Sequence, residues 1–429
     1  MNWDYFCIFA PKLLRYMKKI LYAIIALAVL TACKKDEEET EVKAGRTVLV
    51  YIAAENNLGY EEYIGKKYRN AYDDIQEMKE GVKTMGNNHL VVYVDKPNDP
   101  DPEFSRPIPY MLHFYKGELK DSIQMEESLT SDPTIFENVI RTAFTKYPAD
   151  SYGLVLWGHG SGWLIENDSV KYNARKKAYG GDTGNNSYDT PGKSWMNIPS
   201  MAKALSRLPH LDFIFCDCCN MMCLEVAYEL RHATDYIIGS PAEIPSCGAP
   251  YQTVVPAMFE TNTLINDVPK YATSIVDKYY IQRAGGYDVP LSVIRTSEME
   301  NMASATKTVL KAIKPNIGDD VPNMTDLIHY YFDYKYYDAN DFILKYASTD
   351  DYNAWKKALD KAVIYKKMAT MWMTNKSWSG YYYGFTVTEE KYGGVSMHVP
   401  QSWTNQDRYS REIKQLQWYY AAGYNEIGW

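Results

Sequence analysis

Positive charge is in short supply. Across 429 residues, 46 lysines and arginines stand against 54 aspartates and glutamates, a formal net charge of −8. No long basic run or aromatic platform interrupts that balance, which excludes a nucleic-acid binder. Internal repeats are lacking, and low-complexity sequence is confined to one charged stretch near the N-terminus. The seven cysteines form no framework of the kind that staples small secreted domains. A bilayer-spanning segment needs about 20 apolar residues, and the apolar stretch Ile20–Leu30 falls short of that. What is present is ordinary for a globular protein: 46% hydrophobic and 23% charged residues. The chain can bury a large core; it is long for one simple domain and short for three. Tyrosine is in excess, at 39 residues.

The N-terminus is not expected to join that core. MKKILYAIIALAVLTAC, Met17–Cys33, places two lysines before an apolar stretch and small residues before a cysteine. That is the layout of a secretory signal, which makes Met17 the expected start and 1–33 a processed segment. Its ending, LTAC, resembles a bacterial lipobox, in which Cys33 becomes the lipidated first residue. Residues 34–45, KKDEEETEVKAG, make a charged tether with almost nothing apolar to bury. Lysine followed by acids just after the lipid cysteine resembles the surface-export signal of Bacteroidetes lipoproteins. The expectation is an outer-membrane lipoprotein of a Gram-negative bacterium, exposed at the cell surface and held to the membrane through Cys33.

From Arg46 onward, apolar runs alternate with helical spacing. Val48–Ala53, HLVVYVD, YMLHFY, YGLVLWG, LDFIFCD and YIIGS read as strands, nearly all apolar. Strands of this kind, separated by helices, point to a mostly parallel sheet covered on both faces. Pro133 opens a helix, as proline does in a first turn. The spacing divides the folded part into an α/β core over 46–260 and a helical region over 261–429, with the strand LSVIR among its helices and GGVSMHVP as a final strand. Between Trp163 and Asn197 the chain is polar and glycine-rich. A loop that long is usually functional or disordered, and it carries the basic cluster Arg175, Lys176 and Lys177.

In open α/β sheets, ligands bind beyond the carboxyl ends of the strands. Two such ends carry chemistry: WGHGSGW with His159, and CDCCN with Cys219. They lie 60 positions apart (219 − 159), so only the fold can join them. A histidine between two glycines is displayed rather than buried, and the glycines let a substrate approach. Among the clustered cysteines, Cys216 continues a strand and fills core, and Cys223 packs under a helix expected to begin near Met221. Cys219 stands just ahead of that helix, where the positive dipole end favours a thiolate. A metal reading fails on spacing, since C-x-C-C-x-x-x-C without a second pair matches no closed tetrahedral set. Residues i and i+2 of an extended chain share a side, so Asp217 and Cys219 can line one pocket. The competing role for Asp217 is a helix cap, for which Asn220 is better placed.

The chain resembles the clostripain family of cysteine peptidases, relatives of caspases and gingipains, through most of residues 46–429. TVLVYIAAENNL looks like the family's first strand and its Asn-Asn-Leu turn, and DDIQEM like the helix that follows. LVLWGHGSGW is similar to its histidine motif and FCDCCNMMCLEVAYEL to its cysteine motif. GSPAEIPSCGAPY resembles the strand and loop behind the pocket, and GVSMHVP the final strand. The resemblance implies a caspase-like α/β/α sandwich with a mostly parallel central sheet and a helical C-terminal region. It implies a cysteine endopeptidase cleaving after arginine or lysine, with Cys219 as nucleophile and His159 as base. Gly160 and Cys219 would supply the oxyanion-hole N–H groups, and Asp217 would read the basic P1 side chain. No third triad member is legible. Several relatives are activated by cleavage in the interval that holds Arg175, Lys176 and Lys177, which makes these the autoprocessing candidates. The sequence itself requires no cofactor. Calcium dependence is known in the family, though no closed ligand motif stands here. Gly158 departs from the family's frequent aspartate, and Cys218 and Asn220 from its small and apolar neighbours of the nucleophile. The alternatives are a non-catalytic surface protein that binds peptides or adheres through the same fold, and a Cys-rich metal or redox protein.

Overall fold

The computed structural model describes residues 43–105, 109–165, 179–182, 194–282, 288–317, 322–331, 336–372, 385–400 and 406–429. Cys33 and the cluster Arg175, Lys176 and Lys177 lie outside the described residues.

Strand β1 (Ala44–Ala53) sets the architecture. Val48, Val50 and Ile52 enter one apolar core, while Leu49, Tyr51 and Ala53 enter another. Side chains alternate across a strand, and a run that is apolar at every position needs cover on both sides. After β1 come the exposed hairpin β2 (Glu61–Tyr63) and β3 (Lys66–Tyr68), then β4 (His89–Asp95), β5 (Tyr110–Tyr115) and β6 (Glu118–Gln124). Next are β7 (Ala149–Gly158), β8 (Tyr179–Asp182), β9 (Ser194–Met196), β10 (Leu211–Asp217) and β11 (Thr234–Gly239). The remainder are β12 (Leu264–Ile265), β13 (Val268–Pro269), β14 (Leu291–Arg295), β15 (Tyr337–Asp338), β16 (Val363–Lys367) and β17 (Ser396–Met397).

Nine of these form one sheet in the order β16-β14-β11-β10-β7-β1-β4-β5-β6. The five central strands, from β11 to β4, are parallel; β5 and β6 at one edge and β14 and β16 at the other run antiparallel. The helices Asn70–Gly81, Tyr251–Met258 and Lys270–Gln282 cover one face. Pro133–Lys146, Ile198–Leu205, Leu224–Leu230, Met299–Ile317 and Thr349–Ala362 cover the other. Asp132 caps the helix that Pro133 opens, accepting from the N–H groups of Thr134 and Ile135.

Three features differ from the sequence expectation. The sheet crosses residue 260: LSVIR, expected as a strand among the C-terminal helices, is its β14, and β16, which was not expected, lies beside it. GGVSMHVP does not extend that sheet; its β17 pairs with β15 and bridges to Cys223. The interval after Trp163 contains the β8–β9 hairpin, whose glycines and polar residues read as loop because so short a ladder carries no periodicity.

Candidate active site

Strands β7 and β10 are adjacent and parallel, with Trp157 opposite Asp217. Two residues further along each strand stand His159 and Cys219, so the register brings together the pair the sequence held apart. The backbone confirms the closeness. A Cβ on Gly160 would lie 2.6 Å from Cys219 O and 3.1 Å from Cys219 N, so a side chain there would displace the Cys219 peptide. Gly158 has φ of +146°, and a Cβ there would meet Ala53 O at 2.8 Å. A side chain at this position would therefore press on β1.

His159 is held from two sides. Its Nε2 donates to Asn57 Oδ1 at 2.9 Å, which leaves Nδ1 as the basic nitrogen. Its carbonyl accepts from Gly180 N of β8 at 2.9 Å, and the Trp195 ring of β9 lies 5.9 Å from the imidazole. Asn57 belongs to the turn after β1, and the neighbouring Asn56 pins that turn. The Asn56 amide donates to Ala53 O at 3.2 Å and to Gly181 O at 2.7 Å, and its Oδ1 accepts from Leu58 N at 2.9 Å. Asn57 is the partner that sequence reading missed. The available signal was the polar ENNL turn at the carboxyl end of a strand that, in the sheet, adjoins β7.

Cys219 sits differently from expectation. The helix begins at Leu224, not near Met221, with Cys223 as its N-cap residue and no side-chain cap. Cys219 therefore lies in a turn ahead of the helix, in which Asn220 takes a φ of +59° and donates its N–H to Ala242 O at 3.0 Å. The predicted dipole activation is overturned. Burial, then the charge of Glu243, pushes the Cys219 thiol up to about 12, against the Ile244 N–H that lowers it. That N–H donates to Sγ at 3.4 Å. The resting group is a thiol, and a base must remove its proton. Cys216, Cys218 and Cys223 are buried and Cys247 is exposed; all are free thiols. Among the described cysteines Cys247 is the exposed one, which the sequence did not signal.

Asp217 ends β10 and is buried. Its Oδ2 accepts from Ala249 N at 2.9 Å and from the Tyr251 hydroxyl at 2.8 Å, so it is no helix cap. Asp74, which accepts from Trp157 Nε1 at 2.6 Å, faces the same glycine. A Cβ on Gly248 would stand 2.7 Å from Asp217 Oδ2 and 2.9 Å from Asp74 Oδ2. The cysteines form no ligand set among the described residues. The group spaced for a metal there is Glu55, Asp95 and Asp182, all buried, with ligand oxygens within 4.8 Å of one another. Sequence reading missed it because the three acids come from three separate strand ends.

A thiol and an imidazole at neighbouring strand ends of a helix-covered parallel sheet define a cysteine endopeptidase. More particularly, the chain belongs to the clostripain family, whose model matches residues 50–429. Clostripain of Hathewaya histolytica is 22% identical over 440 residues, covering 89% of this chain and 79% of that protein. A secreted C11 cysteine protease from Bacteroides thetaiotaomicron, solved with an irreversible peptide inhibitor, is 32% identical with a TM-score of 0.68, covering 89% of this chain and all of that one. An inactive zymogen C11 protease from Parabacteroides distasonis is 29% identical with a TM-score of 0.67, covering 89% and 99% of the two chains.

Proposed function

We propose that this endopeptidase cleaves after arginine or lysine, with Cys219 as nucleophile and His159 as base. The observation that carries the assignment is the placement of both residues at the ends of β7 and β10 with Asn57 on His159 Nε2. Nδ1 takes the thiol proton as sulfur attacks the scissile carbonyl, and then gives it to the leaving amine. The N–H groups of Gly160 and Cys219 hold the oxyanion, a contribution of about 3 kcal/mol per donor. Water activated by the same imidazole then hydrolyses the thioester. Asp217 reads the P1 cation, and the partly exposed Glu243 adds negative charge beside the thiol.

The same proposal covers the chain's life outside the cytoplasm. A signal over residues 1–33 exports it, lipidated Cys33 anchors it to the outer membrane, and a cut at Arg175, Lys176 or Lys177 activates it. Support comes from the motif order of the N-terminus and from the zymogen described for the Parabacteroides distasonis relative. A panel of fluorogenic peptides differing at P1, with Cys219→Ala as control, tests the specificity. Arginine and lysine peptides should exceed alanine peptides by roughly 10² or more in kcat/KM. Equal cleavage of arginine and alanine peptides would remove Asp217 from its role.

A further inference from the structure

Beyond the dyad, the β8–β9 hairpin presents a face that neither the proton transfer nor the reading of P1 uses. Tyr179 and Met196 turn into the core that also takes Leu49, Tyr51 and Ala53. Side chains alternate along a strand, so Trp195 turns away from that core, and it stays partly exposed. Its ring lies 5.9 Å from the His159 imidazole at an interplanar angle of 33°. The indole is also fitted to Gly181, which has a φ of +123°; a Cβ there would stand 2.9 Å from Trp195 Cζ2 and 3.1 Å from Cε2. Glycine meets both demands, of conformation and of clearance. The hairpin is fastened to the turns that hold the base, through the Asn56 amide on Gly181 O at 2.7 Å and the bridge of Tyr179 to Gly160. A large apolar ring is thereby kept at the surface beside the proton-transferring group, in the position of a pocket wall.

Strand order and the alternation of side chains decide which part of a substrate reaches that ring. Asp217 shares a face of β10 with Phe213 and Phe215, against Tyr251. A P1 side chain that meets Asp217 therefore enters on that face of the sheet. The hairpin packs on the opposite face. In an extended peptide, neighbouring side chains point to opposite sides, so the residues flanking P1 turn towards the hairpin. Of these two, the residue after the scissile bond lies on the imidazole side, because His159 hands its proton to the leaving amine.

We propose that Trp195 is the wall of the S1′ subsite and selects a large apolar residue, leucine or phenylalanine, immediately after the scissile bond. The subsite depends on P1 lying against Asp217, which fixes the face. An indole offers apolar area and a single N–H donor, with no charge. An acidic P1′ side chain gains nothing from it, and would add to the charges of Glu243 and Asp217 that already bear on Cys219. An apolar P1′ side chain leaves water against the ring and meets no such charge.

Internally quenched peptides with arginine fixed at P1 and only P1′ varied test the subsite. Leucine and phenylalanine should exceed glycine and aspartate by about tenfold or more in kcat/KM. In Trp195→Ala the leucine-to-glycine ratio should fall to about 1–2. Trp195→Gln keeps bulk over Gly181 but not the apolar ring, and should lower the ratio likewise, which covers an alanine variant that does not fold. The ratio is the readout because a ring that only steadies His159 would, on removal, slow every peptide by the same factor and leave the ratio as it was. A flat P1′ profile in the natural protein, or the natural ratio kept in the folded variants, overturns the subsite. The panel in which P1 varies is separate: loss of the arginine preference there strikes Asp217, whereas a flat P1′ profile on well-cleaved arginine peptides strikes Trp195 alone.

Discussion

At the scale of single residues, the proposed preference for arginine or lysine would link the nucleophile's acidity to the substrate's charge. Burial and then Glu243 hold the Cys219 thiol near 12, with Asp217 acting in the same direction. A guanidinium docked among these acids would cancel their charge and ease proton loss to His159. Substrate would thus help make its own thiolate. In a Cys247→Ser background, iodoacetamide should alkylate Glu243→Gln protein several-fold faster than its parent at neutral pH, and a bound arginine amide should accelerate the parent likewise. Unchanged rates in both experiments would break the link. A second residue sets the response of stability to pH. Burial raises Glu225 from 4.5 to about 7, opposed by the His398 N–H that it accepts. Between those values the folded chain keeps a proton that the unfolded chain has released, so stability falls as pH rises through that window. The loss is roughly 3 kcal/mol. Glu225→Gln keeps the acceptor for His398 N and removes the ionisation. The fall in Tm from pH 5 to pH 8 should therefore be smaller in the variant than in the natural protein.

At the scale of elements, the site is made by strand ends rather than by helices. The sheet sets β7 between β1 and β10, so the turns after all three converge on His159. Gly160 is a tight point of that junction, where a Cβ would stand 2.6 Å from Cys219 O. Gly160→Ala should cut kcat/KM by roughly 10², since a misplacement of about 1 Å at reacting groups has that effect, and should lower Tm as well, because the added Cβ must push the Cys219 backbone aside. Wild-type kcat/KM in that variant would show that the contact is not part of the machinery. The strands of this edge were legible because they are buried on both faces. β6 was not, because ELKDSIQ is an exposed edge with little apolar patterning, and neither was β16, whose VIYKK continues a helical spacing.

On the scale of the whole molecule, the sheet decides what a cut would do. The candidates Arg175, Lys176 and Lys177 fall between β7 and β10 in sequence, yet those strands pair along five registered positions from Phe213–Gly153 to Asp217–Trp157. Cleavage there should give two chains that remain one particle, since neither half of the sheet can bury its faces alone. Intact mass under denaturing conditions should show two fragments, and size exclusion a single peak of unchanged volume. Cys219→Ala protein should stay uncut. A single uncut chain at full activity would sink the idea.

The sequence alone determined the apolar strands of the sheet, its mostly parallel character and the two motifs, because hydrophobic patterning and glycine turns are local. It placed His159 and Cys219 at strand ends for the same reason. The tertiary structure decided everything that depends on which ends are neighbours. Asn57 is a turn residue until β1 lies beside β7, and Glu55, Asp95 and Asp182 are scattered acids until three strands deliver them within 4.8 Å. The acidity of Cys219 also changed sign between the two. Sequence spacing suggested a helix start that would favour the thiolate, whereas the fold supplied burial and two carboxylates that oppose it. Burial and charge proximity are properties of space, and no local pattern carries them.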